Sequence, residues 1–210
     1  MKTIFIDVNK DLSNNKRVEF ELWKQPTAGV LCETEVNEWL SEFIELPVKL
    51  IKFIDHLHPF RASSVEVDNH VQNDITLPIR YQDGDPIFIT NSTSILDLSS
   101  RILDRSVKVT YRNFRPNIHV QLRTPYEEDK IKHWKIGDVE LKNLKPCDRC
   151  TFTAVNPDTG VKNPDLEPLK TLKTYRILGN YTSPLFGVNL SPIKLGTVKL
   201  GDYIITDCSK

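Results

Sequence analysis

Short runs of alternating apolar residues, each cut off by turn formers after a few positions, constrain this chain more than any other feature. Ile118, Val120 and Leu122 alternate, as do Trp134 and Ile136, and then Val139 and Leu141 with Leu144 beyond. Gly137-Asp138 breaks the last two runs apart, and Val198, Leu200, the Gly201-Asp202 break and Tyr203-Ile204-Ile205 repeat the device near the end. A period of two puts successive side chains on opposite faces of a pleated strand, and Gly beside Asp supplies the backbone freedom of a tight reversal. Two segments carry a helical period instead. Val36, Trp39, Leu40, Phe43 and Ile44 recur at helical spacing after Glu33 until Pro47 stops them, and Ile95, Leu98 and Ile102 share a face after Ser92, a candidate N-cap. Many short strands with few helices predict a mixed α/β fold, mainly β, barrel-like with a few peripheral helices.

Upstream, residues 2–8 and the alternation Val18, Phe20, Leu22 predict two strands joined by the polar segment 9–16. Val48, Leu50 and Phe53 predict another strand, the stretch 56–74 reads as low in order, and a boundary near residue 60 divides the chain into 1–60 and 61–208. The second part opens with Ile79 and Tyr81, a turn at Asp83-Gly84-Asp85-Pro86 and the apolar run 87–89, with Val107 and Val109 strand-like after the second helix. Phe5, Phe20, Trp23, Trp39 and Trp134 read as core packing.

With 210 residues, 39% of them hydrophobic, the chain can bury a substantial core. Its 28 basic and 28 acidic residues cancel, so no electrostatic footprint points to nucleic acid or an anionic membrane surface. The apolar stretch at residues 1–8 is too short to span a bilayer, so no membrane segment is expected. Four cysteines, Cys32, Cys147, Cys150 and Cys208, without a secretory apolar region predict free thiols in an intracellular, reducing compartment.

Chemistry concentrates at Cys147-Asp148-Arg149-Cys150, followed by the turn segment Asn156-Pro157-Asp158-Thr159-Gly160. A thiolate beside an Arg suits a soft transition metal. A structural zinc needs four ligands, and the other two cysteines stand far off in sequence. A thioredoxin-like pair wants a helix N-terminus, whereas Thr151, Thr153 and Val155 favour a strand. Two small buried thiols in a β core remain the plain alternative. His56-Leu57-His58 could be read as two ligands at strand spacing, but two ligands do not make a site. No Gly-rich phosphate loop, Ser/His/Asp order or metalloprotease helix is present.

The neighbours of the cysteine pair carry a resemblance. Asn113-Phe114-Arg115-Pro116-Asn117, Ile136-Gly137-Asp138-Val139-Glu140-Leu141, Pro146-Cys147-Asp148-Arg149-Cys150, Val155-Asn156-Pro157-Asp158-Thr159-Gly160, Glu167-Pro168-Leu169-Lys170-Thr171-Leu172, Tyr175-Arg176 and Pro184-Leu185-Phe186-Gly187 follow in order. Together they resemble the MOSC domains of molybdenum-cofactor proteins, and among them the mitochondrial amidoxime-reducing component group more than the sulfurase C-terminal domains. The match is specific from Tyr81 onward and weaker back to about Val18. It implies a MOSC-type β-barrel.

The resemblance further implies a molybdenum-molybdopterin cofactor with Cys150 as the metal-binding and catalytic thiolate and Cys147 as a structural companion. Arg115 and Asn117 match positions that hold the pterin and its phosphate, where a planar guanidinium fork suits an anion. Asp148 and Arg149 match cofactor-contacting positions, although the family often has Ser where this chain has Asp148. Asp83, Gly84 and Asp85 match a loop near the metal in which small hydroxyl residues commonly replace the last two.

The implied activity is reduction of small N-hydroxylated, amidoxime-like substrates, with electrons from a haem or flavin donor such as cytochrome b5 and its reductase. The implied location is the mitochondrial outer membrane. Family members also carry a segment ahead of the present Met1, with a Lys-Ser pair and an early-strand Arg that grip the pterin, and animal members carry a membrane anchor. Neither is found in this sequence, which reads as starting partway through the N-terminal region. A cofactor-deficient or non-catalytic MOSC fragment and a sulfur-carrier domain with a persulfide on Cys150 stand as the alternatives.

Overall fold

A computed structural model describes residues 1–62 and 78–207, so that Cys208 and most of the stretch read as low in order lie outside the described residues. The chain divides into two compact units, Met1–Gly84 and Asp85–Lys210.

In the first unit, β1 (Arg17–Leu22) and β2 (Gln25–Leu31) form an antiparallel hairpin, and β3 (Ile51–Lys52) pairs with the far side of β2. The hairpin turns on Trp23 and Lys24, both at positive φ, as the right-handed twist of a tight hairpin requires. Residues 1–8 form no strand. Their alternation finds no paired edge; the Lys2 carbonyl instead accepts a hydrogen bond from Trp39 Nε1 at 2.6 Å, and Phe5 stands almost wholly exposed. Helix α1 (Thr34–Ile44) has the expected bounds and ends on Glu45 in the left-handed region before Pro47. Leu12, Val30, Cys32 and Val36 make the core, and β4 (Arg61–Ala62) pairs with β5 (Pro78–Ile79).

The second unit is built on a curled six-stranded sheet, in the order β11-β8-β9-β10-β6-β7. Its members are β6 (Ile87–Asn91), β7 (Ile118–Val120), β8 (His133–Ile136), β9 (Val139–Asp148), β10 (Leu185–Lys194) and β11 (Ile204–Thr206). The Gly137-Asp138 reversal joins β8 to β9 as its sequence predicts, with Gly137 at φ 56. Neighbours are antiparallel except β6 and β7. One face buries Ile89, Val120, Trp134, Leu141, Val188 and Leu190 among others, each worth about 1.5–3 kcal/mol for a fully buried side chain of this size. A second cluster joins α2 (Ser92–Arg101) and α3 (Leu169–Lys173) through Leu98, Ile102, Phe114, Leu172 and Phe186. The cap of α2 is Asn91 rather than Ser92: the Asn91 side chain accepts from Thr93 N at 3.1 Å. Among the described residues the architecture is thus mainly β with three α-helices, as expected. Of the five aromatic residues read as core only Trp134 is fully buried, and Trp23 joins Phe5 at the surface. Val107 and Val109, and Val198 and Leu200, form no strands. No helix of the described residues is long and apolar enough to cross a membrane.

Gly187 shows how tightly the sheet is drawn together near its centre. It sits at φ 73, and a Cβ there would lie 2.5 Å from the Ile89 carbonyl oxygen of β6 and 2.6 Å from the Phe88 ring. The pairing of β10 with β9 shifts register between Leu185 and Val188, around this glycine, and resumes with Leu185 opposite Asp148 at the end of β9.

Candidate functional site

That end of β9 carries Cys147 and Asp148. Asp148 pairs with Leu185, Arg149 N donates to the Pro184 carbonyl at 2.8 Å, and the chain then departs. Cys150 is extended (φ −106, ψ −179) and precedes a single 3-10 turn, Thr151–Ala154, instead of the strand its Thr and Val residues predict. The Cys150 carbonyl accepts from both Thr153 N (3.2 Å) and Thr153 Oγ1 (2.9 Å), so local side-chain hydrogen bonding outcompetes β propensity.

The two thiols sit in opposite surroundings. Cys147 is half-buried, and its Sγ accepts from Arg149 Nη1 at 2.9 Å. Burial pushes the Cys147 thiol up, with the Arg149 charge opposing it. Arg149 is itself folded inward: Nη2 donates to the Phe114 carbonyl at 3.0 Å, and the guanidinium lies 4.8 Å from the Phe88 ring centroid and 5.5 Å from that of Phe114. Its Nε is buried without a hydrogen-bond partner among the described residues. Cys150, by contrast, is exposed.

The 113–117 loop packs against this turn. Asn113 Nδ2 donates to the carbonyls of Thr153 and Val155 at 3.3 and 3.4 Å. Arg112 forms an ion pair with Asp158 and donates to the Pro157 carbonyl at 3.3 Å, tying down the 156–160 turn, in which Asn156 Oδ1 accepts from Asp158 N at 2.8 Å. Arg115, at φ 57, is exposed, with its guanidinium 5.5 Å from the Phe152 ring centroid. Asn117 Oδ1 accepts from Phe88 N at 2.8 Å while Asn117 N donates to the Phe88 carbonyl at 2.9 Å, so this residue stitches the loop to β6 and leaves its side-chain N–H groups for other partners.

The Asp83-Gly84-Asp85 turn straddles the two units. Asp83 is exposed, and with Gly84 it closes the first unit. Asp85 opens the second with its side chain 1% exposed, Lys145 Nζ 3.7 Å from Oδ2, and both oxygens lacking a hydrogen bond among the described residues. Burial pushes the Asp85 carboxyl up.

Five of the residues singled out from sequence, Arg115, Asn117, Asp148, Arg149 and Cys150, thus share one neighbourhood at the joined ends of β9, β10 and the 113–117 loop. Sequence reasoning missed Phe88, Phe114 and Phe152, the rings that seat the two arginines. Phe114 and Phe152 adjoin named site residues, but nothing local marks Phe88. Among the described residues no group of three or more His, Cys, Asp and Glu gathers in a metal-binding arrangement. His58 uses Nδ1 to accept from Ile54 N at 3.0 Å.

An exposed thiol with an exposed guanidinium on the adjoining loop suits a metal complex that brings most of its own ligands together with an anionic group. The residues present fit a molybdenum-pterin cofactor in that sense: among the described residues Cys150 has no competing partner and Arg115 forms no ion pair.

The model of the MOSC domain matches residues 76–205. The bovine mitochondrial amidoxime reducing component 2 is 34% identical over 204 residues, covering 93% of this chain and 58% of that protein. The human mitochondrial amidoxime-reducing component 1 is 38% identical over 185 residues, 82% of this chain and 51% of that protein, and the zebrafish (Danio rerio) component 1 is 35% identical over 196, 91% and 58%. The chain therefore spans a little over half the length of these relatives.

Proposed function

The chain belongs to the MOSC domain family, and on that premise we propose that it is an oxidoreductase of the amidoxime-reducing kind that holds a molybdenum-pterin cofactor. The observation that carries this reading is the asymmetry of the cysteine pair, which leaves Cys150 as the one thiol of the motif open to a ligand.

Cys150 is the metal thiolate in this reading. Arg115 offers its guanidinium to the cofactor's phosphate, and the amide of Asn117 donates beside it. Asp148 and Arg149 border the thiolate, Arg149 acting from the protein side by holding Cys147 and the Phe114 carbonyl in place. Asp83, Gly84 and Asp85 are assigned to the loop near the metal. When bound, the cofactor would supply a two-electron reducing centre that is also a Lewis acid. Breaking the N–O bond of an N-hydroxylated substrate takes two electrons and two protons and releases water. The chain's own share is to orient the substrate and deliver protons, while a separate haem or flavin protein supplies electrons. The relatives named mitochondrial make that compartment the proposed location.

Purified protein is expected to carry molybdenum and pterin and to reduce benzamidoxime to benzamidine with a supplied electron donor. Arg115→Ala is expected to lower pterin retention at least ten-fold with the fold intact. Wild-type protein that binds neither molybdenum nor pterin when reconstituted would overturn the reading in favour of a cofactor-free MOSC module.

A further inference from the structure

Helix α1 has two flanks of different fate beside the stripe, Val36 and Leu40, that it turns to the core of the first unit. On one flank Asn37 Oδ1 accepts from Leu50 N at 2.7 Å and Ser41 Oγ accepts from Val48 N at 3.0 Å, so the chain's own residues 48–50 cover it. On the other, Trp39 and Phe43 lie one turn apart and stack, with ring centroids 5.4 Å apart and planes within 10° of parallel. The N-terminal segment touches this flank at the indole, whose Nε1 donates to the Lys2 carbonyl, and leaves Phe43 64% exposed. Leu46 adds exposed apolar surface just past the end of the helix. Paired rings left open to water in this way mark a surface made for contact.

Charge decides what kind of partner this face takes. At about 100° per residue, Glu35, Glu38 and Glu42 fall beside Trp39 on the side away from the core, Glu45 follows at the C-cap, and all four are exposed. Among the described residues none of the four joins an ion pair, whereas Glu33, just ahead of the helix, is paired with Lys10. Carboxylates three and four positions apart repel one another, and Glu42 and Glu45 also sit at the negative end of the helix dipole, where the last turn holds no basic residue. A cationic neighbour would relieve both effects. A second α1 would set Glu against Glu, and an anionic lipid surface would be repelled. A helix laid along α1 suits the one-turn spacing of the two rings, because helices pack through such rows of side chains.

We propose that the Trp39-Phe43 flank of α1 docks a basic amphipathic helix of another protein, which lays its apolar stripe on the two rings and sets Lys or Arg against Glu35, Glu38 and Glu42. The site lies within the first unit and does not depend on whether Cys150 binds a metal.

Three fourteen-residue peptides titrated into the full 15N-labelled chain test this: Leu and Lys at helical spacing, Leu and Glu in the same pattern, and the Leu/Lys composition in strict alternation. The helical Leu/Lys peptide should bind one-to-one, shift the amide signals of residues 35–46, and bind at least ten-fold more tightly than either of the others. Phe43→Ser should weaken it at least five-fold, and the exposed double substitution Glu38→Lys with Glu42→Lys should turn the preference toward the Leu/Glu peptide, both with the remaining amide signals in place. Failure of the helical Leu/Lys peptide to bind, equal binding of the Leu/Glu peptide, or shifts centred outside residues 35–46 would each overturn the proposal. So would a chain that dimerises alone and is made monomeric by Phe43→Ser, which would assign the face to a second copy, and so would Phe43-dependent uptake by phosphatidylcholine vesicles without peptide binding, which would assign it to a membrane.

Discussion

Cys147 and Cys150 stand three residues apart in one motif, yet one is locked into the protein and the other is left open. The difference does not come from the spacing. It comes from Arg149, which turns back onto Cys147 because Phe88 and Phe114 offer a ring surface and the Phe114 carbonyl offers an acceptor. Two thiols that look equivalent in a Cys-x-x-Cys motif are therefore set apart by their neighbours, one half-buried and bonded to Arg149, the other exposed.

The largest effect should come from dismantling the locked side. Phe114 is 1% exposed and stacks on Phe186 at 4.1 Å between centroids, so Phe114→Ala should cost about 3–5 kcal/mol in urea unfolding. Arg149→Ala should cost about 1–3 kcal/mol, because it strips a donor from the Phe114 carbonyl and from Cys147 together. An unfolding midpoint unchanged in Arg149→Ala would show that the lock is not structural. On the open side, Cys150→Ser should shift stability by less than about 0.5 kcal/mol, as expected of a surface position. Iodoacetamide should alkylate Cys150 at least ten times faster than Cys147, whose thiol burial holds in its neutral form; equal rates would erase the contrast.

A smaller effect concerns the strand that carries both thiols. Asp85 faces Lys145 on β9, and burial raises its carboxyl pKa above the ordinary 3.8. The folded state then binds the proton more tightly than the unfolded chain, so its contribution is fully present below pH 3.8 and is lost as pH rises through the raised value. Asp85→Asn cannot lose that proton, and its stability relative to wild type should grow between pH 4 and pH 7 in denaturant titrations. A difference that stays constant across that range would show that the Lys145 charge fully compensates the burial.

Where sequence and structure agree, local chemistry and tertiary packing point the same way. The Gly137-Asp138 reversal, the bounds of α1 and the apolar face of α2 are of this kind. Where they part, a partner elsewhere in the chain decides. Residues 2–8 alternate like a strand but have no edge to pair with, and the hairpin at Trp23 and Lys24 carries neither the Gly nor the Asn that normally signals positive φ. Thr151 and Thr153 lose their β preference to hydrogen bonds that close a turn on the Cys150 carbonyl. At the site, the proximity of Arg115 and Asn117 to the 148–150 segment follows from short motifs on adjoining elements. The inward turn of Arg149 was not legible, because it depends on a ring sixty-one positions earlier.

The most direct test of Cys150 as the metal thiolate is the molybdenum content per chain of wild type, Cys147→Ser and Cys150→Ser, reconstituted side by side with molybdenum-pterin cofactor and checked for fold by circular dichroism. The expected result is molybdenum retained in wild type and in Cys147→Ser and reduced at least ten-fold in Cys150→Ser. Retention in Cys150→Ser, or loss confined to Cys147→Ser, would contradict the account.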